Sequence, residues 1–282
     1  MKRSSARSAL VFVVAGFGIC FAQSSGYQSP FAPACISPSY PSPPPATQDA
    51  IDKVCDLQGS GGAETNQNIA KNNFCATGSP QDVTIEDFTN LQTQVNNDSS
   101  IPFGDSSRGG RPEGPATDRA PLQALGEGKL VRFTGYTLFG RQEGEESVNC
   151  GKSVPDQPAY HDIHIELVAS VDVTDECSGI VSEMIPHHRP DSWTAENVQS
   201  VATAKLPMRV TGQLMFDSSH FPCQNGAGVG DNPKRVSLWE IHPIYIFEVC
   251  PNGTCSDGTG WVPLDQYVST KVKKRKPTTS RQ

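Results

Sequence analysis

The stretch "SLWEIHPIYIFEVC", residues Ser237–Cys250, is a predicted β-strand with one apolar face and one polar face. Alternate side chains of a strand point to opposite sides. Five side chains form the predicted apolar face: Trp239, Ile241, Tyr245, Phe247 and Val249. Glu240 and His242 lie on the other face, and Pro243, which has no N–H to donate, indicates a strand edge or a bulge. The question is whether that polar face is solvated or forms a site.

Four further strands and one helix precede this stretch. The strands are predicted, in chain order, in "KLVRFTGYTLFGRQ", "YHDIHIELVASV", "SGIVSEMIP" and "LPMRVTGQLMFD". A helix is predicted in "PDSWTAENVQSVATA", with Asp191 or Ser192 as its N-cap. The order of three strands, a helix and two strands is that of the OB fold. The sequence therefore predicts a mainly β chain: a five-stranded OB-fold-like Greek-key barrel with one helix between strands 3 and 4, plus a small helical N-terminal extension.

The chain begins with the pattern of an export signal. Lys2, Arg3 and Arg7 precede the apolar run "ALVFVVAGFGICFA", and cleavage is expected after Ala22. The run is shorter than the roughly 20 residues that a membrane span needs. A lipid-anchored alternative would use Cys20, but the bulky residue before it disfavours lipoprotein processing. The mature protein is therefore expected to be exported, to a periplasm or to the extracellular space.

Composition divides the chain into six segments. These are a signal peptide (1–22), a Pro/Ser-rich linker (23–48), a small helical extension (49–97), a flexible linker (98–121), the OB-like barrel domain (122–268) and a basic disordered tail (269–282). Within the extension, Thr84 and Asp87 have the spacing of a capping box ahead of the apolar stripe in "TIEDFTNLQTQV".

The cysteine content indicates a disulfide framework. Removal of Cys20 with the signal leaves an even set of eight cysteines, and the absence of a CxxC pair disfavours a zinc knuckle. Cys250 and Cys255 bracket the turn-forming "PNGT", so we expect a disulfide between them. The pairing of the other six cysteines is left open.

Charge is distributed unevenly along the chain. The total is −7, of which the signal contributes +3 and residues 271–282 contribute +6, so residues 23–270 carry −16. A net charge this negative on residues 23–270 repels the phosphate backbone of nucleic acids, which disfavours nucleic acid as a partner. A glycan, a cation or an envelope protein is the preferred partner. The basic tail is expected to be a solvated end, with contact to an anionic surface as the alternative.

Three motifs in the barrel region resemble a known group of proteins. "DIHIEL", "RVTGQLMFDSSH" and "WEIHPI" are similar to motifs of exported bacterial proteins of undescribed function that have an OB-like barrel. The resemblance covers roughly residues 120–265, with a weaker echo in "QNIAKNNFCA". It implies the fold and a bacterial source, and it carries no catalytic assignment.

The polar faces of the second and fifth strands are candidate metal ligands. Asp162, His164 and Glu166 share one face of the second strand, as Glu240 and His242 do in the fifth. Both strands flank the third strand of an OB barrel. Imidazole and carboxylate groups suit zinc or another divalent first-row metal, so the candidate ligands are Asp162, His164, Glu240 and His242. An open coordination position would allow hydrolysis, with His220 or His188 as an extra ligand.

A structural interpretation of these faces is favoured over the metal site. Alternation alone produces such a pattern on any half-buried strand. Strands separated by a third lie about 9–10 Å apart, which argues against shared ligation unless side chains reach across. In this interpretation Glu240 and His242 are an outer polar face bonded to Arg189 or Arg209. A metal-free acid–base pair is a further alternative.

Two other stretches supply candidate ligand-binding residues: His187, His188 and Arg189 in "HHRPDSW", and His220 in "FDSSHFPC". The first is also explained as a turn that leads into a helix, and the second as side-chain turns after a strand. No G-x-S-x-G elbow supports a serine hydrolase. The predicted function is an exported, disulfide-stabilised OB-like binding or interaction module of unknown ligand at the cell envelope. A metal-dependent hydrolase is the alternative.

Overall fold

A computed structural model describes residues 67, 70–103, 119–143, 158–187, 189–230, 233–256 and 258–275. The predicted signal peptide with Cys20, the Pro/Ser-rich linker and His188 lie outside the described residues. Among the described residues, none of the helices combines the length and the apolar character that crossing a membrane requires.

The described chain forms seven strands and four α-helices. The strands are β1 (Gln81–Val83), β2 (Leu130–Gln142), β3 (Ile163–Val168), β4 (Ile180–Met184), β5 (Pro207–Phe216), β6 (Trp239–Val249) and β7 (Val262–Pro263). The helices are α1 (Ile85–Asn97), α2 (Ala120–Leu125), α3 (Ala195–Thr203) and α4 (Leu264–Arg275).

Five of the strands close into a barrel. They pair in the order β2–β3–β4–β6–β5, and β5 pairs back onto β2. The β4–β6 pair is parallel and the other four pairs are antiparallel. Helix α3 connects β4 to β5. This arrangement confirms the predicted OB-like Greek-key barrel, with β1 and β7 added beside β2 and β6.

The barrel encloses one apolar core. Its inward side chains include Ile163, Ile165 and Leu167 from β3, Val210 and Phe216 from β5, and Trp239, Ile241 and Phe247 from β6. Helix α3 adds Val198 and Val201, each completely buried. A closed barrel leaves the opposite face of every strand to be solvated or covered, and that face holds the polar residues of β3 and β6.

Strand β6 departs from strict alternation at Pro243. Leu214 pairs with Ile241 and Gly212 with Ile244, so β6 uses three residue steps where β5 uses two. The predicted bulge is therefore present, while β6 is no edge strand because it pairs with both β4 and β5. Because of the extra residue, Tyr245 does not lie on the apolar face where the sequence analysis placed it. Its ring faces away from the core and stacks on Phe74 with centroids 5.4 Å apart.

Helix boundaries follow local capping. The predicted capping box of α1 is confirmed, since Thr84 and Asp87 bond reciprocally. The N-cap predicted for α3 was wrong: Thr194, rather than Asp191 or Ser192, accepts the hydrogen bond from the Asn197 N–H. The reason is a turn that precedes the helix, in which the Trp193 N–H donates to the Pro190 carbonyl.

The C-terminal helix and the disulfides complete the fold. Helix α4 continues to Arg275, so the disordered tail does not begin at residue 269 as predicted. The expected Cys250–Cys255 disulfide is present, and a second joins Cys177 to Cys223.

Candidate functional site

Six ionisable side chains lie on the faces of β3, β4 and β6 that point away from the barrel core. Each has 0% relative exposure: Asp162, His164, Glu166, Glu183, Glu240 and His242. We call these six residues the buried polar cluster. Glu240 and His242 lie on the outer face of the barrel, as the favoured interpretation predicts, but this face is not solvated because another part of the chain covers it.

The cover comes from residues 70–76, which we call the covering segment. The His242 Nδ1 lies 3.0 Å from the carbonyl oxygen of Lys71. The Tyr245 hydroxyl donates to the Asn73 carbonyl at 2.6 Å, and the Gln213 side chain donates to the Ala70 carbonyl at 2.8 Å. The N-terminal extension therefore closes the polar side of the barrel, and the side chains beneath it lose their contact with water.

Glu183 lies at the centre of the cluster. Strand β4 runs between β3 and β6, and Glu183 is in register with His164. Its Oε1 lies 3.0 Å from His164 Nε2, and its Oε2 lies 2.6 Å from His242 Nε2. The distance between the outer strands is thus spanned by a carboxylate from the middle strand.

The sequence analysis missed Glu183. The signal was present, because alternation in "SGIVSEMIP" places Ile180 and Met184 toward the core and Glu183 on the opposite face. Comparison of that face with the neighbouring strands of an OB barrel would have placed Glu183 between the two histidines.

The outer members of the cluster have their own contacts. On the β3 side, Asp162 Oδ2 lies 3.0 Å from His164 Nε2. On the β6 side, Glu240 Oε1 forms an ion pair with Arg235, which is also completely buried. Glu240 Oε2 is buried and accepts no hydrogen bond from the described residues.

The arginine partners predicted for Glu240 and His242 were wrong. Arg209 pairs with Glu248, with N–O distances of 2.7 and 2.9 Å. Arg189 instead donates to backbone carbonyls, among them that of His161 at 2.7 Å. Arg189 therefore fixes the loop after β4 and does not reach the cluster.

Burial and neighbouring charges shift the protonation of the central residues in opposite directions. Burial alone would raise the pKa of Glu183, but His164, His242 and Lys71 outweigh it and hold that pKa well below its usual range. Burial alone would lower the pKa of His164, and the carboxylates of Glu183 and Asp162 raise it well above the usual value. The two side chains therefore favour their charged forms together.

Burial raises the pKa of two other carboxyls of the cluster. Burial raises the pKa of Glu166 well above its usual value, because the opposing charge of Arg235 offsets only part of the desolvation. Burial likewise raises the pKa of Glu240 to about 8, against the lowering effect of Arg235. Burial thus opposes the ionised form of both carboxyls, while the charge of Arg235 favours it.

The other candidate ligand-binding residues lie apart from the cluster. His187 is 1% exposed. His220 is partly exposed, with its Nε2 3.6 Å from Asp217 Oδ2. Arg189 lines a cavity of about 230 Å³ together with Trp193 and Asp191. None of these residues belongs to the two groups of described residues whose ligand atoms could hold a metal ion.

The donor geometry of the cluster suits a cation. Two groups of three residues have ligand atoms within 4.8 Å of one another: Asp162, His164 and Glu183, and Glu183, Glu240 and His242. All four metal ligands predicted from the sequence belong to these groups, and Glu183 belongs to both. One imidazole and two carboxylates form a ligand set of the kind that binds zinc and its first-row neighbours.

Comparison with known proteins gives no match, whether with protein-family models, curated proteins or solved structures. The resemblance of residues 120–265 to exported bacterial proteins therefore stays an expectation, and the site has to be interpreted from its own geometry.

Proposed function

We propose that this chain is an exported, disulfide-stabilised OB-like module that binds a divalent first-row metal in its buried polar cluster. The observation that carries the proposal is the convergence of two imidazoles, from strands on either side of β4, on the two oxygens of Glu183. The metal is held in a closed site, where it stabilises the contact between the barrel and the covering segment.

The orientation of His242 supports a metal ligand. A carbonyl oxygen only accepts hydrogen bonds, so the contact with the Lys71 carbonyl places a proton on His242 Nδ1. In the neutral imidazole, Nε2 then presents a lone pair to Glu183 Oε2 at 2.6 Å. At that distance a proton lies between the two atoms, and a metal ion that replaces it must move them apart to about 3.3 Å, the separation of ligand atoms around a tetrahedral ion. A histidine that donates its other ring N–H to a backbone carbonyl is the usual arrangement of a metal ligand.

Charge supports the same proposal. Five carboxyl groups are completely buried on this side of the barrel, if Asp217 is counted with the four of the cluster. Among the described residues, two permanent cations, Lys71 and Arg235, pair with carboxylates there, and His164 adds a positive charge when it is protonated. A divalent ion supplies positive charge on this side of the barrel and displaces protons from the groups that bind it, among them the proton that the raised pKa of His164 favours.

Burial favours a closed site over a hydrolytic one. Zinc sites that only stabilise a protein are closed by protein ligands, whereas catalytic sites keep a position open for water and substrate. Each proposed ligand has 0% relative exposure. The outer face of the second and third barrel strands is also where OB folds bind oligosaccharides and oligonucleotides. Here His164 and Glu183 on that face are completely buried, so a metal ion fits it better than a glycan.

An oxidising compartment outside the cytoplasm suits a disulfide-stabilised barrel. The two disulfides fit an oxidising environment, as does the even set of eight cysteines that remains after the signal. An envelope-protein or glycan partner elsewhere on the surface, and the exclusion of nucleic acid by the acidic body, stay predictions.

The test is the metal content of the mature protein, residues 23–282, exported to a periplasm and purified without chelator or affinity histidines. We expect near-stoichiometric zinc, manganese or iron by mass spectrometry, and loss of the metal in Glu183→Gln and in the double variant His164→Ala, His242→Ala. Glu248→Gln is the control and should retain the metal, because it removes a carboxylate of β6, the strand of His242, that pairs only with Arg209 among the described residues. A folded wild-type protein with only trace metal overturns the proposal.

A further inference from the structure

We infer that the buried polar cluster is built for two metal ions bridged by the carboxylate of Glu183. This inference rests on the proposed function, since it specifies how many ions the metal site holds and how they are arranged. It follows from the division of the ligands into two sets that share one residue.

The two sets are similar in chemistry and mirror one another across β4. Asp162 directly precedes β3 and stands two residues before His164, and Glu240 and His242 stand two residues apart in β6. Each pair therefore presents one carboxylate and one imidazole on the same strand face. Strand β4 contributes only Glu183 to these two sets.

Distances separate the two sets. Ligand atoms lie within 4.8 Å of one another inside each group of three, and no such group among the described residues contains both Asp162 and Glu240. Donor atoms around one tetrahedral ion with bonds of about 2.0–2.1 Å are only about 3.3 Å apart. One ion can therefore be coordinated by only one set of three ligands, and the other set can coordinate a second ion.

Glu183 has the orientation of a bridging ligand. Its two oxygens face different imidazoles, at 3.0 Å from His164 Nε2 and at 2.6 Å from His242 Nε2. Apart from these two ring nitrogens, neither oxygen of Glu183 has a hydrogen-bond donor among the described residues, and the side chain is completely buried. A carboxylate whose oxygens bind different ions holds them about 3.5–4 Å apart, the spacing of two-metal sites.

The surroundings hold the second set in place. The Lys71 carbonyl fixes the ring of His242, and Arg235 holds Glu240 by Oε1 only. The other oxygen, Glu240 Oε2, is buried and accepts no hydrogen bond from the described residues. Glu240 Oε2, the oxygen that the ion pair with Arg235 does not use, is therefore the ligand atom available to an ion on this side.

The experiment counts the ions and measures their coupling, with Mn²⁺ as the probe. The wild-type mature protein is freed of metal by dialysis and titrated with Mn²⁺, and the bound ions are counted by equilibrium dialysis and examined by electron paramagnetic resonance. We expect two ions per chain, with the broadened spectrum of a magnetically coupled pair. In Asp162→Asn we expect one ion per chain and the six-line spectrum of isolated Mn²⁺, whereas the control Glu248→Gln should bind two.

The outcomes distinguish the inference from the proposed function. Two coupled ions in the wild-type protein support both. One ion per chain overturns the bridged pair and leaves the metal-binding function in place, and two uncoupled ions also overturn the bridge. No bound ion overturns both. Because the wild-type count decides the matter, the inference remains testable if the variant fails to fold.

Discussion

Lys71 and Asp217 form an ion pair of 2.6 Å that is shielded from water, with their side chains 3% and 0% exposed. The Gln67 side chain also donates to Asp217 Oδ1 at 3.1 Å. Burial alone would raise the pKa of Asp217, but Lys71 and then His220 lower it far below its ordinary value. The pair therefore attaches the covering segment to the end of β5 by a contact that depends on charge.

We expect Asp217→Asn to destabilise the protein by about 3–5 kcal/mol at pH 7, because Lys71 is left buried without its partner. Removing this carboxylate also changes how the free energy of unfolding depends on pH. Above the unfolded-state pKa, about 3.9, the pair contributes its full stability. As the pH falls below that value, the unfolded chain takes up a proton that the folded chain does not, and the contribution declines. Urea denaturation at pH 7 and pH 3 should show a smaller acid-induced loss in the variant than in the wild-type protein.

An exposed ion pair provides the control for this prediction. Arg132 pairs with Asp82 at 2.6 Å, and the Asp82 side chain is 69% exposed. Solvent screening should keep the cost of Asp82→Asn below about 1 kcal/mol. If Asp82→Asn and Asp217→Asn lowered the free energy of unfolding by equal amounts, burial of the Lys71–Asp217 pair would have no special role.

At the scale of elements, two glycines let the barrel strands approach closely. The motifs "VRFTGYTLF" of β2 and "MRVTGQLMF" of β5 each carry a central glycine. A Cβ on Gly135 would lie 2.4 Å from the Val168 carbonyl oxygen, and one on Gly212 would lie 2.4 Å from the Pro243 carbonyl oxygen. The pairing register shifts at Gly212, as expected for a bulge.

We expect Gly212→Ala to cost about 1–3 kcal/mol, because the added methyl group meets backbone that cannot move without disturbing β6. Chemical denaturation of the variant against the wild-type protein measures this cost. Gly258→Ala is the matched control, since a Cβ at Gly258 meets no atom within 4 Å. If both alanine variants were equally stable, the close approach of β5 and β6 at the bulge would be refuted.

Alternation and capping patterns were sufficient to predict the order of the elements. The five barrel strands, α3 between the third and fourth of them, and the capping box of α1 all follow from local sequence. The orientation of Tyr245 does not, because two register shifts around Gly212 change the faces of the β6 residues between them and restore the predicted faces at Phe247 and Val249. The sequence indicates the region of the bulge through Pro243 without giving the resulting register. Local pattern predicts an element, while the register depends on its partner strand.

At the scale of the whole molecule, burial of the polar face was the feature that local sequence could not predict. Alternation shows which side chains share a face, but the cover comes from residues far away in the chain. Asn73 bonds to Tyr245 across 172 positions, and Lys71 contacts His242 across 171. Four of the ligands could be selected from the sequence by their chemistry. Their convergence on Glu183 required the order of strands in space.

The same long-range contacts give the molecule its organisation. The barrel provides a rigid frame, the Cys177–Cys223 and Cys250–Cys255 disulfides join loops at its ends, and the covering segment closes the polar side. In this account the metal site joins β3, β4 and β6 beneath that cover. The cluster is then a part of the stabilising framework and has no need of a path for substrate.

The most direct test of this account is a crystal structure of the chelator-free protein with anomalous scattering data recorded at the edge of its bound metal. We predict two anomalous peaks about 3.5–4 Å apart, each about 2.0–2.2 Å from one oxygen of Glu183, with His164 Nε2 beside one peak and His242 Nε2 beside the other. A map without a peak, in which both imidazoles donate directly to Glu183, would contradict the central claim and identify the cluster as a metal-free ion network.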